Sequence, residues 1–310
     1  MFKRLSAMRM WELFRERPLA LVAAGFLGFV SIAVLIGPMG LAYDYAQTDL
    51  ELGLSPPSWA NGHYLGTDIL GRDLLARLLQ GGRLSLLVAL VATAISTTIG
   101  VIYGALSGYV GGRVDDVMMR IVDVLFSLPY LFLVLVLMAL FAEPEVVEPV
   151  IRLLRLRPDG AMAEWLRGPG VRLVLLFIAL GAVSWLTLAR IVRGQILALK
   201  TEPFVEAARA AGAGTWTILV RHLLPNASGP IIAYTVLTVP SVMLQEAFIS
   251  FLGLGLQAPQ ASWGALVYEG VQAMSIAPWL LVFPAGIMVL TLVCFHVVGE
   301  TLREAYERRP

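Results

Sequence analysis

Six stretches of this 310-residue sequence contain no Asp, Glu, Lys or Arg: residues 19–43, 84–112, 124–142, 173–189, 223–245 and 270–299. A helix needs about 20 apolar residues to cross a bilayer core of about 30 Å. Most of the runs reach that length. Residues 173–189 are at the short end, where Arg172 and Arg190 can extend to the two interfaces. The runs are apolar all round, whereas helices of a soluble protein carry a polar face at helical spacing. Only 15% of residues are charged, against about 25% in soluble domains. The sequence predicts an all-α, polytopic membrane protein with six transmembrane helices.

The first run is longer than the about 7–15 residues of a signal-peptide core, and no A-x-A-like site closes it. It is expected to be a retained anchor. The predicted layout has a cytoplasmic arm over 1–18, the anchor over 19–43, an external loop over 44–83 and a five-helix core over 84–300. A tail over 301–310 follows. The core includes an external loop at 143–172 and a cytoplasmic loop at 200–226. A net charge of +1 offers no basic surface for nucleic acid. The single cysteine, Cys294, sits in the sixth run and reads as a small packing residue.

Cytoplasmic loops of membrane proteins are enriched in Lys and Arg. With the N-terminal arm inside, fifteen of the 23 Lys and Arg face the cytoplasm, so both termini are expected there. The loop at 143–172, with five arginines, runs against the bias. The cytoplasmic loop between the fourth and fifth runs reads "EAARAAGAGTWTILVRHLLPN" from Glu206 to Asn226. Pro203 suits the first turn of a helix, and Glu206 suits its positive end. Phe204, Ala207, Ala208 and Ala211 form a narrow apolar stripe, and Gly212 and Gly214 end the helix. A second helix is expected from Thr215 until Pro225 breaks it. A stripe made mostly of alanine, with Arg209 the sole cation between Lys200 and Arg221, suits a groove on another protein better than a headgroup surface.

This segment resembles the EAA loop of permease subunits of binding-protein-dependent ABC importers. Glu206, Ala207, Ala208, Gly212 and the pair Leu224–Pro225 match its core, while His222 stands where isoleucine is usual. The "RHLLPN" ending in Asn226 resembles the dipeptide/oligopeptide branch. So do "HYLGTDILGRDLLARLLQGGRLSL" from His63 and "EAFISFLGLGLQAPQASWG" from Glu246. The six-helix layout with a short anchor is similar to the C-type permease of that branch. The resemblance implies a type I importer architecture in a bacterial inner membrane. It implies that Glu206, Ala207, Ala208, Arg209, Gly212, Leu224, Pro225 and Asn226 seat in a cleft of a separate ATPase subunit. The implied partners are a second permease chain, as a heterodimer, two ATP-binding subunits and an extracytoplasmic binding protein. ATP and Mg would be used by the ATPase subunits, with no cofactor on this chain. Peptides are the implied cargo; close relatives carry nickel, opines, glutathione or oligosaccharides, which stay open. No G-x-x-x-x-G-K-[ST] phosphate loop occurs, and the only lysines are Lys3 and Lys200.

Other residues invite two readings each. Glu246, deep in an apolar region, marks either a translocation pathway or a structural bond between helices. Gly100, Gly104 and Gly108 allow close helix approach, within the chain or against the second permease. Asp68, Arg72 and Asp73, with Trp263, belong to external segments suited to receive the binding protein. Thr67 or Asp68 is expected to cap a helix starting near Ile69. His63, Asp68 and Asp73 have weak metal-site spacing, and a structured cap is the better reading. Asp115, Asp116 and Asp123 are expected to pair locally with Arg113 and Arg120. Pro225, Pro230 and Pro240 would break or kink the fifth helix. An intramembrane enzyme lacks a catalytic set here, with His296 alone near the last helix's inner end. A secondary carrier would need internal repeats, and none is evident.

Overall fold

The computed structural model of the chain describes residues 16–129, 132–136, 144–153, 157, 159–256 and 259–307. Helix α1 (Pro18–Ile36) starts on its proline and ends in the 3-10 turn Gly37–Gly40. Helix α2 (Leu74–Val110) runs for 37 residues, and α3 (Gly112–Ser127) follows at once. It stops ahead of Pro129, where Leu128 turns extended, as a residue before proline prefers. Helices α4 (Pro144–Leu153) and α5 (Ala161–Arg167) lie within the expected external loop 143–172. They are joined by Arg167 Nε donating to Glu148 Oε1 at 2.6 Å and by buried Ile151 and Ala163. Helix α6 (Pro169–Leu199), α7 (Pro203–Ala210), α8 (Leu224–Phe251), α9 (Trp263–Ala273) and α10 (Trp279–Glu307) complete the order.

Among the described residues, five helical segments are long and apolar enough to cross a membrane: Pro18–Gly40, Leu74–Val110, Leu173–Leu199, Thr215–Phe251 and Trp279–Tyr306. Of the third apolar run, 124–142, residues 130–131 and 137–142 lie outside the described residues. So do Lys3, Arg4, Arg9 and Arg15 of the arm and Arg308 and Arg309 of the tail. The core is built where α2, α6 and α8 meet, around fully buried Val88, Ala89, Leu176, Leu180, Val242 and Ile249. Small residues on α2 let α6 approach closely, which helices in lipid rely on because apolar burial alone does not favour their association.

Three boundaries differ from expectation. The helix expected near Ile69 starts at Leu74, with Asp73 as its cap, accepting from Ala76 N at 2.7 Å. Asp68 instead accepts from Leu70 N at 2.8 Å and Arg72 N at 3.1 Å, closing a turn before the helix. The apolar run 270–299 is divided, since α9 ends at Ala273 and α10 begins at Trp279. Pro225 does not break the chain. A turn at Thr215–Thr217 passes into a π-helix, Ile218–Leu223, which leads straight into α8. Leu224 N donates to Leu219 O, five residues back, and Pro225 falls in the first turn of α8, where its missing N–H costs little. Pro230 and Pro240 likewise lie inside a continuous α8.

Candidate functional site

Helix α7 is held to the bundle by one residue that the sequence pattern did not mark. Val205 is fully buried in a cluster with Ile218, Leu219, Leu223 and Ile196, and Ala208 and Ala213 pack against it. The predicted stripe is therefore split. Ala208 is half-buried on the inner side, while Phe204, Ala207 and Ala211 face outward. Glu206, Arg209 and Gly212 are exposed beside them. Glu206 lies in the first turn, where the helix dipole favours an acid.

The helix closes with Gly212 N donating to Arg209 O at 2.9 Å and Ala213 N to Ala208 O at 3.0 Å. Gly212 has φ +81°, and no atom lies within 4 Å of where a Cβ would stand. Glycine is required there by the left-handed backbone, not by crowding from neighbours. Leu224 is half-buried, and Pro225 and Asn226 are exposed. Asn226 Nδ2 donates to His222 O at 2.7 Å, so this amide serves the backbone of the π-helical turn.

Asp68, Arg72, Asp73 and Trp263, expected in external segments, are all buried within this chain, which corrects their assignment as contacts for another protein. They hold the cap together. Asp68 Oδ2 accepts from Arg72 Nε at 2.7 Å and Arg77 Nη1 at 2.6 Å. Arg77 continues to Glu269 on α9. His63 Nδ1 lies 2.9 Å from Asp73 Oδ2, with Tyr43 stacked on its ring at 4.2 Å. Trp263 Nε1 donates to Leu78 O at 2.9 Å rather than standing at an interface. Neither Arg77 nor Glu269 was marked by sequence, because nothing in a helical period announces a partner so distant.

Glu246 is buried among hydroxyls. Its oxygens accept from Ser85 Oγ of α2 at 3.1 Å and Ser250 Oγ at 2.7 Å, and Ser85 Oγ in turn accepts from Trp263 N at 3.1 Å. The carboxylate thus bonds α8 to α2 and to the start of α9. Gly104 and Gly108 are covered by the same chain: a Cβ at Gly104 would collide with the Ala189 carbonyl, and one at Gly108 would come within 2.8 Å of Arg193 O. This face is closed by α6 and is not open to a second permease.

The acids of α3 also differ from expectation. Asp115 pairs with Arg193 and Asp123 with Arg190, both on α6, instead of with Arg113 and Arg120. Ser107 of α2 donates to Asp115 as well. Helix rotation turns these acids toward α6, so neighbours at i and i+3 or i+4 are not the ones chosen.

A bundle of long apolar helices, with a short helix exposed on one of its loops, defines a polytopic membrane protein. The chain belongs to the family described as binding-protein-dependent transport system inner membrane component, whose pattern matches residues 98–309. Residues 7–57 match the N-terminal TM domain of oligopeptide transport permease C. The sequence is 44% identical over 281 residues to the oligopeptide transport system permease protein OppC of Escherichia coli K12, covering 91% of this chain and 84% of that protein. It is 38% identical over 294 residues to OppC of Bacillus subtilis, covering 95% and 87%. It is 39% identical over 298 residues to the dipeptide transport system permease protein DppC of B. subtilis, covering 96% and 84%. Family membership makes the chain a multi-pass inner-membrane transport subunit rather than an enzyme.

Proposed function

We propose that this chain is the membrane-spanning half of an ATP-driven importer of oligopeptides or dipeptides, and that α7 couples it to separate ATPase subunits. The observation that carries the coupling is the split of α7. Val205 anchors the helix to the buried cluster of α6 and α8, while Phe204, Glu206, Ala207, Arg209 and Ala211 remain outside. A helix so short cannot fold alone, and its small free face suits a groove on a partner. Motion of that partner would pass through Val205 into the long helices, which switch between discrete packings.

In this reading both termini and residues 200–226 face the cytoplasm, and residues 44–83 and 143–172 face the exterior. The partners are a second permease chain, two ATP-binding subunits that use ATP and Mg, and an external binding protein. The peptide cargo follows from the relatives' named roles. The test is reconstitution of the whole complex in liposomes with a labelled peptide. Uptake that needs ATP and the ATPase subunits supports the reading, and uptake by this chain without them would overturn it. Attachment of an impermeant thiol reagent from outside to an Ala207→Cys variant would overturn the orientation.

A further inference from the structure

Three helices meet on one carboxylate at the inner end of the bundle. Asp115, 6% exposed at the start of α3, accepts from Arg193 Nε and Nη2 of α6 at 2.6 Å each. Ser107 of α2 donates to the same group. A bidentate guanidinium–carboxylate fork sets orientation as well as distance. Farther along α6, Lys200 Nζ donates to Gly108 O at 2.9 Å, placing a cation on the last carbonyls of α2. Helix α7 begins three residues later, at Pro203.

Farther along, α3 also packs on α6 through fully buried Val122, which meets Trp185, Leu186 and Ala189, and Tyr103 of α2 donates its hydroxyl to Met118 O at 2.8 Å. Helix α3 follows α2 across Gly111 and Gly112, with φ of 73° and 57°, and nothing lies within 4 Å of a Cβ placed on Gly112. Two such glycines make a low-cost pivot. Val114, Val117, Ile121 and Val124 of α3 are exposed. Its second ion pair, Asp123 with Arg190, is 67% and 44% exposed, so it constrains little. Among the described residues, Asp115 makes the buried charged contact between α3 and the bundle. On α6, Arg193 lies between Val192 and Ile196, which share the buried cluster with Val205 of α7.

We propose that Asp115 and Arg193 form a latch that carries movement of α7 and α6 into α3, turning it about Gly111–Gly112. Both are positioning residues, and the proposal rests on the importer reading above. Close packing moves α2 and α6 together. Apolar packing at Val122 keeps α3 near α6 but has no preferred direction, so the fork at the pivot end is the contact that sets how α3 turns.

The test uses the complete complex in proteoliposomes. Three quantities are read: ATPase subunits retained, ATP hydrolysed and peptide delivered per ATP. Asp115→Asn and Arg193→Lys are expected to retain the ATPase subunits and hydrolysis while delivery per ATP falls about tenfold, since a lysine cannot form the fork. The exchange Asp115→Arg with Arg193→Asp is expected to recover part of that loss. Wild-type delivery per ATP in both single variants overturns the latch, as does loss of the ATPase subunits in both. If Asp115→Asn fails to insert, Arg193→Lys, which keeps the charge, decides alone. Failure of the wild-type complex to couple hydrolysis to uptake would instead overturn the importer reading.

Discussion

The Arg77 guanidinium, 1% exposed at the start of α2, donates to Glu269 at 2.5 and 2.9 Å and to Asp68 at 2.6 Å, joining α9 and the turn ahead of α2 through one side chain. Removing one partner of a buried ion pair costs about 3–5 kcal/mol. Glu269 is 39% exposed and solvent-screened, so Arg77→Leu is expected at the lower end, about 3 kcal/mol. Glu269→Gln should cost less, because Asp68 still faces the guanidinium. Thermal unfolding of the detergent-purified chain measures both, and an unchanged melting temperature for Arg77→Leu would contradict this account.

Gly104 and Gly194 make opposite predictions. Gly104→Leu forces a side chain into the Ala189 carbonyl and within 2.9 Å of Val192 Cβ, and overpacking of this kind costs about 1–3 kcal/mol. Gly194, on α6, has nothing within 4 Å of an added Cβ. Gly194→Ala is therefore expected to be neutral or to stabilise by up to about 1 kcal/mol through helix propensity. The same melting experiment ranks the two, and a reversed order would count against the α2–α6 packing.

On α7, Glu206→Lys places a cation at the positive end of the helix and reverses an exposed charge. Gly212→Val adds a β-branched residue at φ +81°, a strain of about 1–2 kcal/mol. Both substitutions are expected to leave membrane insertion intact, because neither residue is buried in the bundle, and to abolish transport and co-purification of the ATPase subunits. Wild-type uptake with either variant would refute the coupling assignment.

Acid should weaken the Asp115 tether in a defined direction. The hydrogen bonds from Arg193 pull its carboxyl below the usual carboxylate range; burial opposes this, and Ser107 and the charges of Arg193 and Lys200 assist it. A depressed folded-state value means that the stabilisation is complete above the unfolded pKa of about 3.9 and is lost as pH falls through the folded value. Arg193 is 33% exposed, which moderates the size of the effect. Wild type should exceed Asp115→Asn in melting temperature at neutral pH, with the gap closing below about pH 4. A gap that persists unchanged in acid would show that the charge is not what holds α3.

Much of the loop that carries α7 was legible because its requirements are local. Pro203, Glu206 and Gly212 each answer to a helix start, a dipole or a left-handed residue, and the structure places them there. The anchor Val205 was not legible. Its burial depends on Ile218, Leu219 and Leu223, brought beneath it only once the chain has turned at Gly212. Asp68 and Arg72 were read as surface because charge is normally solvated, yet Asp68 is neutralised by Arg72 and by Arg77 in the buried cap.

By itself the sequence determined the helical class, the approximate position of five of the six apolar spans and the position of the exposed loop. A bilayer asks only for length and hydrophobicity along the chain, and a run of residues states both. The tertiary structure decided which charges meet and which faces close: Asp115 with Arg193, 78 positions apart, Arg77 with Glu269, 192 apart, and Gly104 against Ala189. Those pairings depend on how each helix is rotated about its axis and where it crosses its neighbours. Such angles are set by the packing of several helices at once, so no single stretch of sequence carries them.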